Sequence, residues 1–416
     1  MTTKKLLLSA ALICFLTLVS CNKKVYETPV IDFKSYPNKI DLPLSEIVTD
    51  LKIVPLETRD NLLLSNNAAI AISEKYIVTS NRTELHLFDK EGKHVRVLAV
   101  QGGGPNEFSQ ITGFIIDDKN DILYYKDFVQ MGETLKRVNL RTGEHLETMN
   151  FGEKAFFAES VDNNGRLYGI DASRFVFRFI NDGSEEKESG STTLFSIFDP
   201  KNGERKDIET SNSYTPSSAS KKILTLNDEA IVLNLAYSDT LYSYQNNELA
   251  PKAIFSFENK MTDMSKGGEG IELNLMTSKG VILGKSTTGF QSSTSSGGAI
   301  SIRISTSVTD HVYLSNNGEY SQMRSIYLEP FGYRAKLGKN EDESENDTNE
   351  TAIILELPRY SSGYAYYFLD AIKFIQLLEY AIESKDVPEN LKKEYREHLA
   401  TIDEENNPVL IIGKVK

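Results

Sequence analysis

From about Lys39 to Arg334 the chain reads as short runs of alternating apolar and polar residues, rich in Val, Ile, Phe and Tyr and cut by Asn, Asp and Gly. A period of two between turn residues is the pattern of half-buried strands joined by hairpins. The runs recur. Tyr76-Ile77-Val78, Ile122-Leu123-Tyr124 and Leu167-Tyr168-Gly169 each follow a polar turn, and Ile77, Ile122 and Leu167 lie 45 residues apart. Ile231-Val232-Leu233 continues the series after a longer step, which two polar stretches, Gly183–Thr193 and Glu209–Ser220, account for as loop insertions. A second landmark ends a later strand in each unit: Asp89-Lys90-Glu91-Gly92, Arg141-Thr142-Gly143 and Lys201-Asn202-Gly203 place a glycine where a hairpin wants a residue at positive φ. Two hairpins per repeat make four strands, and four-stranded units of this length are β-propeller blades, whose faces only their neighbours can bury. Four units are clear, and two weaker ones fall at Gly280–Leu314 and Glu319–Leu357.

The end of the chain departs from this pattern. Asp342–Glu350 reads as a solvated acidic insertion. Tyr364–Ser384 reads as a helix apolar on most of its circumference, with Asp370, Lys373, Gln376 and Glu379 as a narrow polar stripe. Pro388 suits the first turn of a second helix, lined on one side by Leu391, Tyr395, Leu399 and Ile402. A closing strand over about 408–416 follows this helical insertion of about 362–405. The fold expected is all-β: a six-bladed propeller over 39–416, with a short C-terminal helical insertion before the strand that closes the ring.

At the other end, the apolar run Leu6–Ser20 follows Lys4 and Lys5 and stops at Leu18-Val19-Ser20-Cys21, the bacterial lipobox pattern. Fifteen residues are too few to span a bilayer, which takes about 20. Residues 1–20 therefore read as a lipoprotein signal peptide, Cys21 as the lipidated residue, and 21–38 as a polar tether. The expected address is the cell envelope, at the outer membrane and facing the periplasm, and Asn22-Lys23-Lys24 after the cysteine contains no acidic cluster. Cys14 leaves with the signal and Cys21 takes the lipid, so no thiol is left for a disulfide or a zinc–sulfur site. A formal net charge of −13 argues against nucleic acid as partner.

With Val54-Pro55-Leu56-Glu57-Thr58, Gly102-Gly103-Gly104-Pro105-Asn106-Glu107-Phe108, Asp239-Thr240-Leu241-Tyr242 and Asn406-Asn407-Pro408-Val409-Leu410, the chain resembles the NHL-like six-bladed β-propeller lipoproteins of Gram-negative anaerobes. Asn106 stands where that family usually has Gly. The resemblance covers nearly the whole mature chain and implies a fold and, by association, a place beside outer-membrane machinery that imports glycans or peptides. It implies no general chemistry.

The residues name none either. His86, His94, His145, His311 and His398 show no metal-ligand spacing, and no Gly-x-Ser-x-Gly elbow occurs. Gly102–Gly104 is not followed by Lys-Ser or Lys-Thr, so it reads as a blade-to-blade connection. Asp117–Asp121 and Asp162–Gly165 lack calcium-loop spacing and read as hairpin turns. No cofactor and no catalytic residue is predicted. In an antiparallel blade, the loop between second and third strands emerges on the same face as the link to the next blade. That face collects Asn81, Arg82, Glu107, Lys126, Asp127, Asp171, Arg174, Tyr237 and Asp239, the ligand-binding candidates. The leading expectation is a non-enzymatic envelope propeller, anchored in the membrane by its N-terminal lipid, binding a glycan or peptide ligand or an envelope protein. The alternatives are a metal-dependent hydrolase or lyase, with calcium or zinc at the channel mouth, and a structural module docking through the helix Tyr364–Ser384.

Overall fold

The computed structural model describes residues 28–65, 68–81, 83–127, 134–152, 155–171, 192–210, 221–226, 229–234, 239–260, 268–294, 300–337, 353 and 355–416. Cys21 and the acidic insertion lie outside them.

Six sheets, each with an antiparallel core of four strands, form six blades. Blade 1 is Ala69–Ile72, Ile77–Ser80, Glu84–Phe88 and His94–Val100; blade 2 is Ile111–Asp117, Ile122–Asp127, Thr134–Asn139 and His145–Asn150. Blade 3 is Phe156–Val161, Leu167–Asp171, Thr192–Phe198 and Arg205–Thr210; blade 4 is Lys221–Leu226, Glu229–Asn234, Thr240–Gln245 and Glu248–Ser256. Blade 5 is longer, with Gly268–Thr277, Gly280–Thr294, Ile300–Ser315 and Tyr320–Leu328. Blade 6 joins the two ends of the chain: Arg359–Ser361, Tyr364–Leu369, Val409–Val415 and, outermost, Val48–Pro55. The first strands of blades 1 to 6 follow one another around the axis, each touching the next from blade 1 through blade 6.

Alternation makes each blade apolar on two faces, and six clusters fill the six gaps. Between blades 1 and 2 pack Val78, Leu85, Leu123 and Tyr125. Tyr124, Leu135 and Phe156 fill the next gap, Phe195, Ile223 and Tyr244 the third, and Leu241, Phe255 and Leu283 the fourth. Ile282, Ile326, Tyr367 and Ile411 lie between blades 5 and 6, and Val54, Ile72, Phe88 and Leu410 between 6 and 1. Each fully buried Leu, Ile or Phe contributes about 1.5–3 kcal/mol, so no blade is stable without its neighbours. The expected left-handed turn glycines are present at Gly92, Gly143 and Gly203, with φ of 82°, 78° and 74°.

Three expectations need correction. Residues 30–38 are not tether: Val30–Asp32 adds a parallel strand to the outer edge of blade 4, and Lys39–Pro43 does the same on blade 5. Ile31 is fully buried, and Phe33 stacks on Phe255 and Phe257 at 6.1 and 5.9 Å. The unit expected at Glu319–Leu357 also divides, because Tyr320–Leu328 completes blade 5 and blade 6 begins only at Arg359. Finally, Tyr364–Leu369 is a strand. The helix starts at Ala371, where the Asp370 carboxylate accepts a hydrogen bond from the Lys373 amide at 2.8 Å.

That helix, Ala371–Glu383, buries Phe374, Leu377, Leu378 and Ala381 in the gap between blades 5 and 6. In the second helix, Glu389–Leu399, Tyr395 stacks on Phe331 at 5.3 Å and donates to the Pro330 carbonyl. The reading of the first helix as a docking element for another protein thereby loses its main support. Among the described residues no helix is long and apolar enough to cross a membrane.

Two motifs far apart in sequence meet at the seam of the ring. Asn407, 2 % exposed, accepts from the Leu64 amide at 2.8 Å and donates to the carbonyls of Glu57 and Leu62 at 2.8 and 2.7 Å, and its own amide donates to the Thr58 hydroxyl. Asn407→Ala removes the partner of three backbone groups in two buried bonds and one part-buried bond, and is expected to cost about 3 kcal/mol, read as a lower midpoint in denaturant unfolding. Asn407→Asp is expected to destabilise as well, since a carboxylate cannot donate to the two carbonyls.

Candidate functional site

The ring has two mouths. On the face expected to bind, the described candidates are each engaged internally. Asn81 accepts from the amides of Thr83 and Glu84 at 2.9 and 2.7 Å and contacts His86 Nε2 at 3.0 Å, which shapes its own turn. Glu107 accepts from the Gly104 amide at 2.8 Å and folds the triple-glycine connection onto itself; a Cβ on Gly102 would lie 2.0 Å from Glu107 Oε2. Asn106 keeps a negative φ, so the glycine usual there is not needed. Lys126 pairs with Glu159 at 3.0 Å and lies over the Phe157 ring, and Asp239 pairs with Lys260 at 2.9 Å. Asp127 accepts from the Ser109 hydroxyl and from the Ser109 and Gln110 amides, with Lys136 at 3.4 Å. Glu107 and Asp127 meet at Lys136, whose ammonium donates to the Glu107 carbonyl and lies 3.4 Å from Asp127, while Asn81, Lys126 and Asp239 are engaged with separate partners. The backbone of Asp171 ends the second strand of blade 3, while its side chain, Arg82, Arg174 and Tyr237 lie outside the described residues.

A cavity lies at the opposite mouth, where first-to-second-strand turns converge. It holds about 610 Å³ and is lined from blades 1, 2, 3, 4 and 6. Blade 1 gives Ser73, Glu74 and Lys75, blade 2 Asp117–Lys119, blade 3 Asp162 and Asn163, blade 4 Thr225, and blade 6 Ser362, Tyr364 and Lys414. Rigid turns build it. The stretches read as hairpin turns are turns: Asp117 accepts from the Asn120 amide and side chain at 3.1 and 2.7 Å, and Asp162 from the amides of Asn164 and Arg166. Bonds between blades tie the turns together. Ser73 donates to Asp118 at 2.6 Å, Lys75 pairs with Asp121 at 2.9 Å, Ser160 and Thr225 share a 2.5 Å contact, and Tyr360 donates to the Thr225 carbonyl.

Against this frame, Glu74, Lys119, Asn163, Ser362 and Lys414 carry side chains with no internal bond among the described residues. A polar ligand on this mouth would meet amide, hydroxyl and charged groups held by a rigid ring. Sequence reasoning missed this site because its members look like ordinary turn residues. The signal was there in the repeat itself, which places every first turn at one end of the channel.

Of the histidines, His86 and His94 face each other with ring centroids 5.5 Å apart, and burial pushes His311 down to about 4. Among the described residues no three of His, Cys, Asp or Glu come together as a group able to hold a metal ion, so the metal-dependent reading finds no ligand set there.

The Asp127 cluster carries a pH signature. Burial opposes its ionisation, but the Ser109 and Gln110 hydrogen bonds and the Lys136 ammonium outweigh it and hold the carboxyl below the ordinary aspartate range. A depressed folded-state pKa gives stability that is present above the unfolded value of about 3.9 and lost as pH falls through the folded one. Asp127→Asn is therefore expected to melt earlier than the wild type at neutral pH and to converge with it in acid, in melting curves taken across pH.

No curated protein matches the chain. Among solved structures, a Bacteroides fragilis protein described as exported superposes with a TM-score of 0.52 at 15% identity, over 93% of this chain and 100% of that one. A Bacteroides vulgatus member of the DUF4221 family gives 0.37 at 13% identity, over 65% and 92%, and Staphylococcus aureus virginiamycin B lyase 0.33 at 9%, over 66% and 87%. At such identities the first likeness shows the fold alone, and the other two carry no substrate or activity to this chain. Residues 28–414 match one family along their length, and the chain belongs to it: the family described as Domain of unknown function (DUF4934).

Proposed function

We propose that this protein is a binding propeller of the cell envelope, exported, anchored through a lipid on Cys21, and taking a polar ligand or an envelope partner at the mouth lined by the first turns of its blades. The cavity of about 610 Å³ carries this reading, because it joins unengaged polar side chains from several blades on a frame that the ring holds still. The Leu6–Ser20 run, the lipobox ending at Cys21 and a remaining chain free of cysteine support the address. The fold likeness to a protein described as exported agrees with it. A place facing the periplasm, beside outer-membrane machinery for glycan or peptide uptake, follows from the family resemblance.

Two experiments test the proposal. Cys21→Ser is expected to abolish labelling with an alkyne fatty acid and to release the protein from the membrane fraction; unchanged labelling contradicts the anchor. For the site, the purified protein is screened on arrays of oligosaccharides and short peptides, beside Asn163→Trp, which fills the mouth from an exposed turn. Bound array ligands are expected to weaken at least about tenfold in the variant. Unchanged binding there, with loss on altering Lys126 at the other mouth, would overturn it.

A further inference from the structure

Three lysines are placed along the junction of blade 6 with blade 1, and one of them, Lys414, lines the cavity. In blade 6, Tyr364 pairs across the ladder with Lys414, and Ile412, two residues back from Lys414 and so on the same face, pairs with Lys52. That face looks toward blade 1, since Tyr364, Tyr366 and Ile412 pack with Ile77 and Phe88. From blade 1, the third turn sends Lys90 back across the gap, with its Nζ 4.9 Å from the centre of the Tyr364 ring. Tyr364 and Lys414 also line the cavity.

The charges around these lysines are arranged unevenly. Lys75 is paired with Asp121 at 2.9 Å and Arg166 with Asp162 at 2.7 Å, while Asp118 accepts from Ser73 and from the Lys75 amide. Lys52, Lys90 and Lys414 have no ion-pair partner among the described residues, in a chain with a formal net charge of −13. Acidic residues are abundant, yet among the described residues none forms an ion pair with this trio. Burial lowers the Lys90 pKa, the neighbouring Lys52 and Lys414 lower it further, and Glu74 and Asp118 pull it the other way. A half-buried ammonium with cationic neighbours, an aromatic ring beside it and no hydrogen-bond acceptor among the described residues is under-satisfied, and an oxyanion would supply the missing acceptors.

Resting on the reading of this mouth as the ligand site, we propose that the ligand carries an oxyanion, a carboxylate, sulfate or phosphate, seated between Lys90, Lys414 and Lys52 beside Tyr364. The polar remainder of such a ligand extends into the cavity toward Asn163 and Ser362. Glu74, exposed and without a side-chain bond among the described residues, flanks the seat and works against it.

The test is titration calorimetry of the purified protein with sodium sulfate, sodium phosphate and D-glucuronate separately, at ionic strength fixed by chloride. At least one anion is expected to bind saturably with Kd on the order of 1 mM or tighter, and which one does separates the carboxylate, sulfate and phosphate sources. Lys90→Gln and Lys414→Gln are each expected to weaken it about tenfold, Lys90→Arg to retain it, and Glu74→Gln to tighten it. Lys414 is exposed at its strand end, so its variant reads binding rather than folding, and melting curves check both. Saturable binding of none of the three anions, with array ligands still lost in Asn163→Trp, overturns the oxyanion and leaves the mouth as the site. Array binding indifferent to Asn163→Trp overturns both.

Discussion

The whole structure depends on the pairing of Val48–Pro55 with Val409–Val415, strands from opposite ends of the chain that complete blade 6. Every other blade is built from consecutive sequence and would form its hairpins locally. None could keep them, because each presents apolar faces that only a neighbour covers. If the seam opens, the cluster of Val54, Ile72, Ile77, Phe88, Leu410 and Ile412 is exposed to water at once. The chain has no pair of cysteines placed to lock the seam covalently, so hydrogen bonds and packing must hold it. Asn407 does part of this work by satisfying the turning backbone at Glu57, Leu62 and Leu64. The strands Val30–Asp32 and Lys39–Pro43 extend the same principle around the outside, covering the edges of blades 4 and 5 that would otherwise invite pairing with other chains.

The same seam places the chemistry. Tyr364 and Lys414 belong to blade 6 and Lys90 to blade 1, so the lysine group exists only when the ring is shut. The cavity likewise takes its walls from five blades, none of which contributes more than a turn or a strand end. A binding site made this way has little local structure of its own to lose. It is as rigid as the circle that carries it, and it would be blurred by any change that loosens closure.

How far the sequence could be read follows from what is local. Blades 1 to 4 were legible because their strands are short and half-buried, and most of their hairpins are marked by Gly or Asn. Blade 5 hid its limits by length: strands of 15 and 16 residues, Gly280–Thr294 and Ile300–Ser315, break the period of the shorter blades. Tyr364–Leu369 passed for helix because five of its six residues are buried, so the run is continuously apolar and periodicity cannot separate strand from helix. The sharper signal was Asp370, whose carboxylate caps the helix that follows. At the site, the polar residues of one face were visible but their partners were not; Glu107 is spent within its own loop, and Lys126 and Asp127 on neighbours brought near by the fold. At the other mouth Glu74-Lys75, Asp117–Asp121 and Asp162–Gly165 read as turns, Ser362 and Tyr364 fall in the expected helical insertion, and none reads as a site, since convergence belongs to the ring and not to any one element.

Closure can be tested by trapping it. Ile53 and Ile411 are direct partners across the seam, and paired residues in an antiparallel ladder have Cα atoms about 4.5–5.5 Å apart, within the span of a disulfide. In a chain carrying Ile53→Cys and Ile411→Cys, the account predicts that mild oxidation links the two positions within one molecule, seen by mass spectrometry of the digested protein. It further predicts that the linked protein melts at a higher temperature than its reduced form. Two free thiols after oxidation, or a link found only between separate molecules, would contradict a ring closed by its own ends.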